Sequence, residues 1–472
     1  MAQDLLRRIP GLEMDRSGKL SFNGRPVSKI LVDGKVYFGE DGIVALANIS
    51  SDMIDRIQIA ADSLTNHLSN ETLKNQILNL KLKAGNKYFG NGVFLAGTDK
   101  RYDGTTFGSV MRVKDRVSMY AGRNNINKTG SGSSVFTIVS RGLGITENTF
   151  AGIDFGLKID TFNELAGSYQ FNHPNTVRDL IKERRQNILS GGLLITQSLA
   201  EGENKSSNHM ATVKLLRSSN GSRPVFSSTL GWNNLESSIQ NTASTKDEQG
   251  NLLNSLASTY LSKGSNNNWT NEISYSKETQ NWNINGNLIY MQINQNLTDY
   301  NEGIMIFYKN NAVDSQQRFR QQIETANRTE KWRVNFGVTK KMGKYFSLAL
   351  NNTLGVQFGS ANRITRNMDT SGLAEKIDTT FSNQFRFRNL NSTSTFSFIY
   401  KKAGWYLKPG MTLLQNYQLQ KDLSRKTNIH NSHLNLVPSC DVSKLVNQSI
   451  FSLTYSANIT LPTLEQLQPV QD

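Results

Sequence analysis

The feature that most constrains the fold of this chain is an alternation of apolar and polar residues, which begins near residue 86 and continues for almost four hundred residues. A period of two places successive side chains on opposite faces of an extended strand. Every odd position from 281 to 287 is asparagine, whereas Trp282, Ile284 and Leu288 occupy even positions. Stretches 331–339 and 345–358 alternate in the same way. The pattern therefore predicts β-strands with one apolar face and one polar face.

The connections between these strands are predicted to be short at one end and long at the other. Short turns are expected at Lys114-Asp115, Asp160, Glu278 to Gln280, Met342 to Lys344 and Lys401 to Gly404, and longer polar loops near 124–146, 172–185, 295–316, 359–380 and 419–430. This asymmetry, with strands of about ten to thirteen residues, is typical of outer-membrane β-barrels. The candidates number about sixteen to nineteen, which would make a wide barrel. A water-soluble β-sandwich also alternates, so that fold stays open.

Composition excludes several classes of protein. Apolar residues make up 37% of the chain and its mean hydropathy is −0.47, so helical membrane spans are excluded, whereas a membrane barrel built from alternating strands is not. The net charge of +15 is scattered along the chain, which argues against nucleic-acid binding. The single cysteine, Cys440, excludes an intrachain disulfide.

The first eighty-odd residues have a different pattern and predict a small α/β unit over 3–83. A short helix, "QDLLRR", ends at Pro10-Gly11, and the strand segments "KLSF" and "KILV" follow. Two tight turns are expected at Asn23-Gly24 and Asp33-Gly34, where glycine tolerates positive φ. Later segments predict a helix in "IVALANIS", a cap at Ser50-Ser51-Asp52, and strands in "MIDRIQIA" and "ILNLKLK".

The N-terminal string "DLLRRIPGLEMDRSGKLSFNGRPVSKILVDGKVYFGEDGIVALANISSDMIDRIQI" resembles the plug domain of TonB-dependent receptors, in the version common in Bacteroidetes. The segment "LKLKAGNKYFGNGVFLAGTDKRYDGT" is similar to the family's passage from plug to first barrel strands, and "LTYSANITLPTLEQLQPV" to a later barrel segment. The resemblance implies an all-β dominated fold in which a small α/β plug domain, residues 1–83, precedes a large antiparallel outer-membrane β-barrel, residues 84–472.

The same resemblance implies a function. It implies a receptor or transporter in the cell outer membrane that binds an unidentified small molecule, glycan or peptide and imports it through a plugged barrel. The implied partners are outer-membrane lipid, the TonB complex where transport is energised, and a surface lipoprotein. The polar strand face would line the lumen, against the plug or a substrate, and carries Asn283, Asn285, Asn287, Arg333 and Asn335.

Departures from the family pattern keep alternatives open. A signal peptide, a TonB-contacting segment and a closing strand with a terminal aromatic residue are missing from the sequence as given, so we expect an internal fragment whose barrel is incomplete at the C-terminus. One alternative is a barrel of this family that does not transport and has a structural or adhesive role. A second is a soluble β-rich binding protein, in which the apolar strand faces would pack on each other.

The motifs of enzymes and metal sites are not found in the sequence. It contains no Walker A phosphate loop, no HExxH zinc motif and no GxSxG nucleophile elbow, so no catalytic residue and no cofactor are predicted. His430 and His433 should lie on opposite faces of a strand, which disfavours a metal site. The carboxylates of Glu40-Asp41, Asp52 and Asp55 are interpreted as helix caps instead of a calcium cluster. The charged segment 178–186 is interpreted as a loop that is solvated or contacts lipopolysaccharide.

Overall fold

The computed structural model contains two β-sheets, one formed by the N-terminal segment and one by the rest of the chain. The structure describes residues 2–14, 20–36, 46, 49–61, 76–127, 144–188, 192–219, 221–368, 374–446, 449–457 and 459. No helix in the described part of the chain is long and apolar enough to cross a membrane.

The N-terminal sheet has six strands, preceded by one short helix. The elements are α1 (Ala2–Leu6), β1 (Leu12–Met14), β2 (Leu20–Phe22), β3 (Arg25–Val32), β4 (Lys35–Val36), a 3₁₀ turn (Ser51–Met53), β5 (Ile54–Ala61) and β6 (Gln76–Leu82). Strands follow the order β1-β2-β3-β6-β5, with β4 beside β3, and among the described strands only the β3–β6 pair is parallel. The core of this unit is small but closed, because Leu6, Ile49, Leu78 and Leu80 have no exposed surface.

Two-residue turns connect β2 to β3 and β3 to β4. Phe22 pairs with Arg25 across the first turn, and Val32 pairs with Lys35 across the second. Asn23 and Gly24 have φ of 49° and 73°, and Asp33 and Gly34 have φ of 51° and 79°. Consecutive positive φ angles define the type I′ turn, whose twist matches that of the strands it joins.

The second sheet contains sixteen strands, and its neighbours pair antiparallel throughout. Its strands are β7 (Lys87–Ala96), β8 (Tyr102–Met111), β9 (Asp115–Asn124), β10 (Ile145–Lys158), β11 (Asn163–Ile188), β12 (Gly192–Arg217), β13 (Ser222–Lys246), β14 (Leu252–Glu278), β15 (Trp282–Lys309), β16 (Ala312–Lys341), β17 (Phe346–Met368), β18 (Ala374–Ile377), β19 (Asn383–Lys402), β20 (Trp405–Asp422), β21 (Thr427–Val446) and β22 (Ser449–Ser456). Apart from the short β18, which pairs with the end of β17, the strands follow one another in sequence order. We call the edge that carries hairpins 112–114, 159–162, 279–281, 342–345 and 403–404 the turn end, and the opposite edge the far end.

Several segments that the sequence predicts as long loops are strand in the structure. Segment 172–185 lies inside β11, and 295–316 is strand except for a two-residue turn at Asn310-Asn311. Much of 359–380 and 419–430 is also strand, whereas 128–143, in the remaining predicted loop, lies outside the described residues. The longest strand, β16, has 30 residues instead of the expected ten to thirteen. The prediction was wrong because a ladder with a neighbouring strand satisfies the backbone of a polar segment without any apolar alternation.

Candidate functional site

The two faces of the large sheet have different chemistry in the half nearest the turn end. On one face, large apolar side chains are between 38% and 66% exposed. We call this set the apolar belt, and it contains Val213, Leu215, Phe226, Leu230, Ile273, Leu288, Val334, Phe336, Leu350, Leu354, Phe396, Leu434 and Leu436. Registers such as Leu288↔Val334↔Leu354 and Leu350↔Phe396 place these residues side by side across neighbouring strands. A contiguous apolar surface of this extent marks an interface with a partner or a membrane.

Aromatic side chains border the apolar belt on both sides. Toward the far end, the Tyr290 ring lies 4.6 Å from the Trp332 ring and 6.0 Å from the Trp269 ring, between centroids. Toward the turn end the border is formed by Trp282, and by Trp405. Trp282 and Tyr290 are eight positions apart on β15, which is about 27 Å along a strand. Two aromatic girdles around an apolar band of about 25 Å are characteristic of transmembrane β-barrels.

The five residues that the sequence predicts to face the lumen share the opposite face, which we call the polar face. Asn287 pairs with Asn335, so these two side chains point the same way. Alternation along β15 and β16 places Asn283, Asn285 and Arg333 on the same face, opposite the exposed Leu288 and Val334. That this face lines a lumen stays a prediction.

A row of hydrogen bonds crosses four strands of the polar face. The Asn287 amide donates to Glu272 at 2.8 Å, the Asn335 amide donates to Asn287 at 2.6 Å, and the Thr353 hydroxyl donates to Asn335 at 2.8 Å. Next to this row, Asn285 lies across Gly337, because a Cβ at Gly337 would come within 2.6 Å of the Asn285 Oδ1 atom. This arrangement holds amide groups in fixed positions, where they are suited to hydrogen bonding with a polar ligand or with another protein surface.

The small unit packs on the sheet through four residues of β8, β9 and β10. Phe107, Met111, Tyr120 and Phe150 are at least 92% buried and belong to the same hydrophobic cluster as Leu6, Leu78 and Leu80. These four residues lie on the polar face, since Met119, beside Tyr120, is 54% exposed on the belt face. The hydrophobic core of the small unit therefore continues into the face of the sheet opposite the apolar belt.

The sequence analysis did not identify these four junction residues. The available signal was an interruption of the alternation. In β9, Val117 and Met119 lie on the face of the apolar belt, whereas Tyr120 is a large aromatic residue on the other face, between Ser118 and Gly122. A strand that is apolar on both faces is covered on both faces. The first strands of the large sheet therefore carried a detectable sign of contact with a second unit.

A cleft of about 550 Å³ separates the small unit from the sheet at the turn end. Its lining includes Arg56, Lys81, Lys83, Lys114 and Lys158. At its base, Arg116 forms an ion pair with Asp154 at 3.1 Å, with only 10% and 7% of their side chains exposed. Above it, Lys81 pairs with Asp33 at 3.0 Å, which connects β6 to the β3–β4 turn. The cleft is polar and lies along the line where the two units meet.

Carboxylates cap turns at several points outside the strands. Asp160 accepts hydrogen bonds from the Asn163 side chain, the Phe162 N–H and the Asn163 N–H, each at 2.7 Å. These donors, the Asn163 amide first, hold the pKa of Asp160 below its ordinary value. In the small unit the Ser50 hydroxyl donates to Asp52 and lowers the pKa of that carboxyl. Both carboxylates therefore stabilise local turns.

The remaining candidate site residues from the sequence analysis do not lie together in one site. His430 and His433 lie on opposite faces of β21, and the His430 ring is in edge contact with Tyr417 at 4.8 Å. Glu40-Asp41 lies outside the described residues, and Asp55 pairs with its neighbour Arg56 at 3.5 Å. In the described ranges, no three His, Cys, Asp or Glu residues are grouped so as to hold a metal ion. Segment 178–186, predicted as a loop, is part of β11.

The comparisons with known proteins gave matches among solved structures. No family model matches the sequence, and the search of curated proteins gives no match. The ferripyoverdine receptor of the outer membrane of Pseudomonas aeruginosa is 9% identical, with 96% of this chain and 79% of that chain covered and a TM-score of 0.29. The siderophore receptor PiuA from Acinetobacter baumannii is 9% identical, with 96% and 89% covered and a TM-score of 0.26.

The copper transporter OprC is a third neighbour, 9% identical, with 96% of this chain and 88% of that chain covered and a TM-score of 0.22. Because the three TM-scores lie below 0.5, the function proposed below rests on the residues of this chain and not on these neighbours.

Proposed function

We propose that this chain is the plug and barrel of an outer-membrane receptor that binds a nutrient outside the cell and imports it. The observation that carries the proposal is the position of the small unit. Its hydrophobic core continues into the polar face of the large sheet, through Phe107, Met111, Tyr120 and Phe150, while the other face carries the apolar belt. Lipid would cover the belt, and the polar face would enclose an aqueous lumen.

In this proposal, residues 1–83 form the plug and residues 84–472 contribute to the barrel. A barrel of sixteen or more strands has a lumen that side chains cannot fill, so a folded unit attached to the inner wall is needed to prevent leakage. The amides of Asn283, Asn285, Asn287 and Asn335, with Arg333, would contact the plug or a passing ligand. No bond is made or broken in this mechanism. Transport requires only that the plug shifts and returns.

Energy for that shift would come from the TonB complex, as the resemblance of the N-terminal segment implies, and a surface lipoprotein would assist capture at the far end. The structure supports one part of this mechanism through the composition of the junction. The small unit meets the sheet along a cleft lined by charged side chains beside an apolar contact, so part of the interface is open to solvent. Interfaces that combine apolar and hydrated contacts separate more readily than fully apolar ones.

Ion conductance tests the proposal. We would refold the chain into planar lipid bilayers and compare it with the double variant Tyr120→Ala, Phe150→Ala, which removes two junction side chains. The matched control is Met119→Ala, Ile153→Ala, which truncates exposed apolar residues on the opposite face of the same two strands. We expect the wild type and the control to stay closed, and the junction variant to open to a large conductance.

The other outcomes separate the alternatives. Failure of every variant to enter the bilayer would exclude the membrane proposal and favour a soluble β-rich protein. A closed bilayer protein whose conductance is unchanged by the junction variant would contradict the assignment of the small unit as a plug. It would favour a barrel with a structural role.

A further inference from the structure

Lysines gather at the turn end of the strands from β16 to β22. Segments 340–346, 400–406 and 442–449 contain six lysines and no aspartate or glutamate. These segments are far apart in the chain, and the hairpins at the turn end bring them to the same edge of the sheet. An edge that carries one sign of charge attracts ligands of the opposite sign.

Five of these six lysines lie over aromatic rings at the turn end. Lys401 lies over Tyr406 on the polar face, and the other four lie beside the apolar belt. The Nζ atom of Lys340 is 5.0 Å from the centre of the Trp282 ring, and that of Lys444 is 4.7 Å from the centre of the Trp405 ring. Lys344 and Lys402 both approach Tyr345, at 5.6 Å and 5.1 Å. We call Lys340, Lys344, Lys402 and Lys444 the lysine rim. None of the four forms a salt bridge with another described residue.

The charges beyond the opposite border of the belt are arranged differently. There, five exposed carboxylates are paired with five cations within 3.0 Å, namely Glu203 with Lys205, Glu236 with Lys263, Glu302 with Arg320, Glu324 with Arg366, and Glu330 with Arg328. The two borders of the apolar belt therefore differ in their carboxylates, since five ion pairs lie beyond one border and the lysine rim at the other has no carboxylate partner among the described residues.

We infer that the lysine rim is an interaction surface for a membrane leaflet that contains anionic phospholipids. The inference rests on the proposed function, because it requires the apolar belt to lie in a bilayer. An aromatic ring beneath each ammonium group fixes its depth at the level of the headgroups, where aromatic side chains settle. Lysines at that depth attract anionic headgroups. Phosphates of the leaflet would then occupy the positions that carboxylates occupy at the opposite border.

The five tryptophans of the chain are natural probes for this inference, because they divide between the two borders. Trp282 and Trp405 lie at the turn end, and Trp232, Trp269 and Trp332 lie toward the far end. One reporter chain would keep only the first pair, with Phe at the other three positions. A second reporter chain would keep only the other three. Each would be refolded into vesicles of phosphatidylcholine and phosphatidylglycerol in which one lipid is brominated, since bromine quenches tryptophan fluorescence on contact.

We expect brominated phosphatidylglycerol to quench the turn-end reporter several-fold more, relative to brominated phosphatidylcholine, than it quenches the far-end reporter. Replacement of the lysine rim by glutamine at all four positions should remove this difference. A matched variant with Lys246, Lys309, Lys421 and Lys426 changed to glutamine loses the same charge at the far end and should keep it. Equal quenching by both lipids at both ends would overturn the inference. Absence of quenching by either lipid would instead refute the proposed membrane location.

Discussion

At the scale of single residues, glycine at positive φ is a requirement of the small unit. Gly34 has φ of 79° and no atom within 4 Å of the position a Cβ would take, so only the backbone conformation opposes a side chain there. We expect Gly34→Val to destabilise the β3–β4 turn by about 1–2 kcal/mol, because a β-branched residue is strained in the left-handed region. Amide exchange of β3 and β6 measures this loss.

Gly108 supplies the control for that prediction. It also has no atom within 4 Å of a Cβ position, and its φ is not positive. Gly108→Ala should leave exchange in β3 and β6 unchanged. If both substitutions accelerated exchange equally, the positive φ of Gly34 would not be the cause.

The buried ion pair between Arg116 and Asp154 gives a second prediction at this scale. Arg116→Met leaves the Asp154 carboxylate in a site where 7% of it is exposed, and should cost about 3–5 kcal/mol of unfolding free energy. The double variant Arg116→Met, Asp154→Leu removes both charges and should recover most of that loss. Urea unfolding in detergent micelles measures both. A double variant as unstable as the single one would show that the charge is not what makes the single variant unstable.

At the scale of elements, strand length is the main result. We expect the backbone amides of 295–307 to exchange as slowly as those of 283–294, because these residues pair with β14 on one side and with β16 on the other. The amides of 312–316 that bond to β15 should also be protected. Loops would exchange orders of magnitude faster. Fast exchange confined to Asn310 and Asn311 would agree with the two-residue turn, whereas fast exchange across the whole of 295–316 would restore the loop predicted from sequence.

The alternation rule explains which elements could be predicted. It detects a strand only where the two faces meet different surroundings, and the segments around Trp282, Trp332 and Phe346 meet that condition. Residues 312–320 do not, since both faces are polar and most side chains are exposed. Two-residue turns such as Asn23-Gly24 were predictable because the residue type at each position determines whether a positive φ is tolerated there. The row from Glu272 to Thr353 was not, because it depends on the register of four strands.

At the scale of the whole molecule, topology determines which charges act together. The net charge of +15 is scattered in sequence, which gave no indication of a site. Antiparallel hairpins bring Lys340, Lys402 and Lys444 to one edge, although about sixty and forty positions separate them in the chain. The contact of the small unit with β8, β9 and β10 depends on the same long-range order. The residue pattern within one segment predicted whether that segment is a strand or a turn. The pairing between distant segments determined which side chains lie together in each candidate site.

The length of the strands also limits how this molecule could hold a ligand. From Trp332 at the far-end border of the belt, β16 continues for twenty residues, which is about 50 Å of height at a tilt of about 40°. A flexible loop could fold over a captured molecule, but a strand paired on both sides, as β16 is from Gln321 to Lys340, cannot bend inward without breaking hydrogen bonds to both neighbours. Residues 312–320 pair with β15 alone. In the proposed barrel, the part of the wall beyond the membrane that is paired on both sides would therefore be rigid. Closure over a ligand would have to be supplied from above by a separate protein, or from below by the plug.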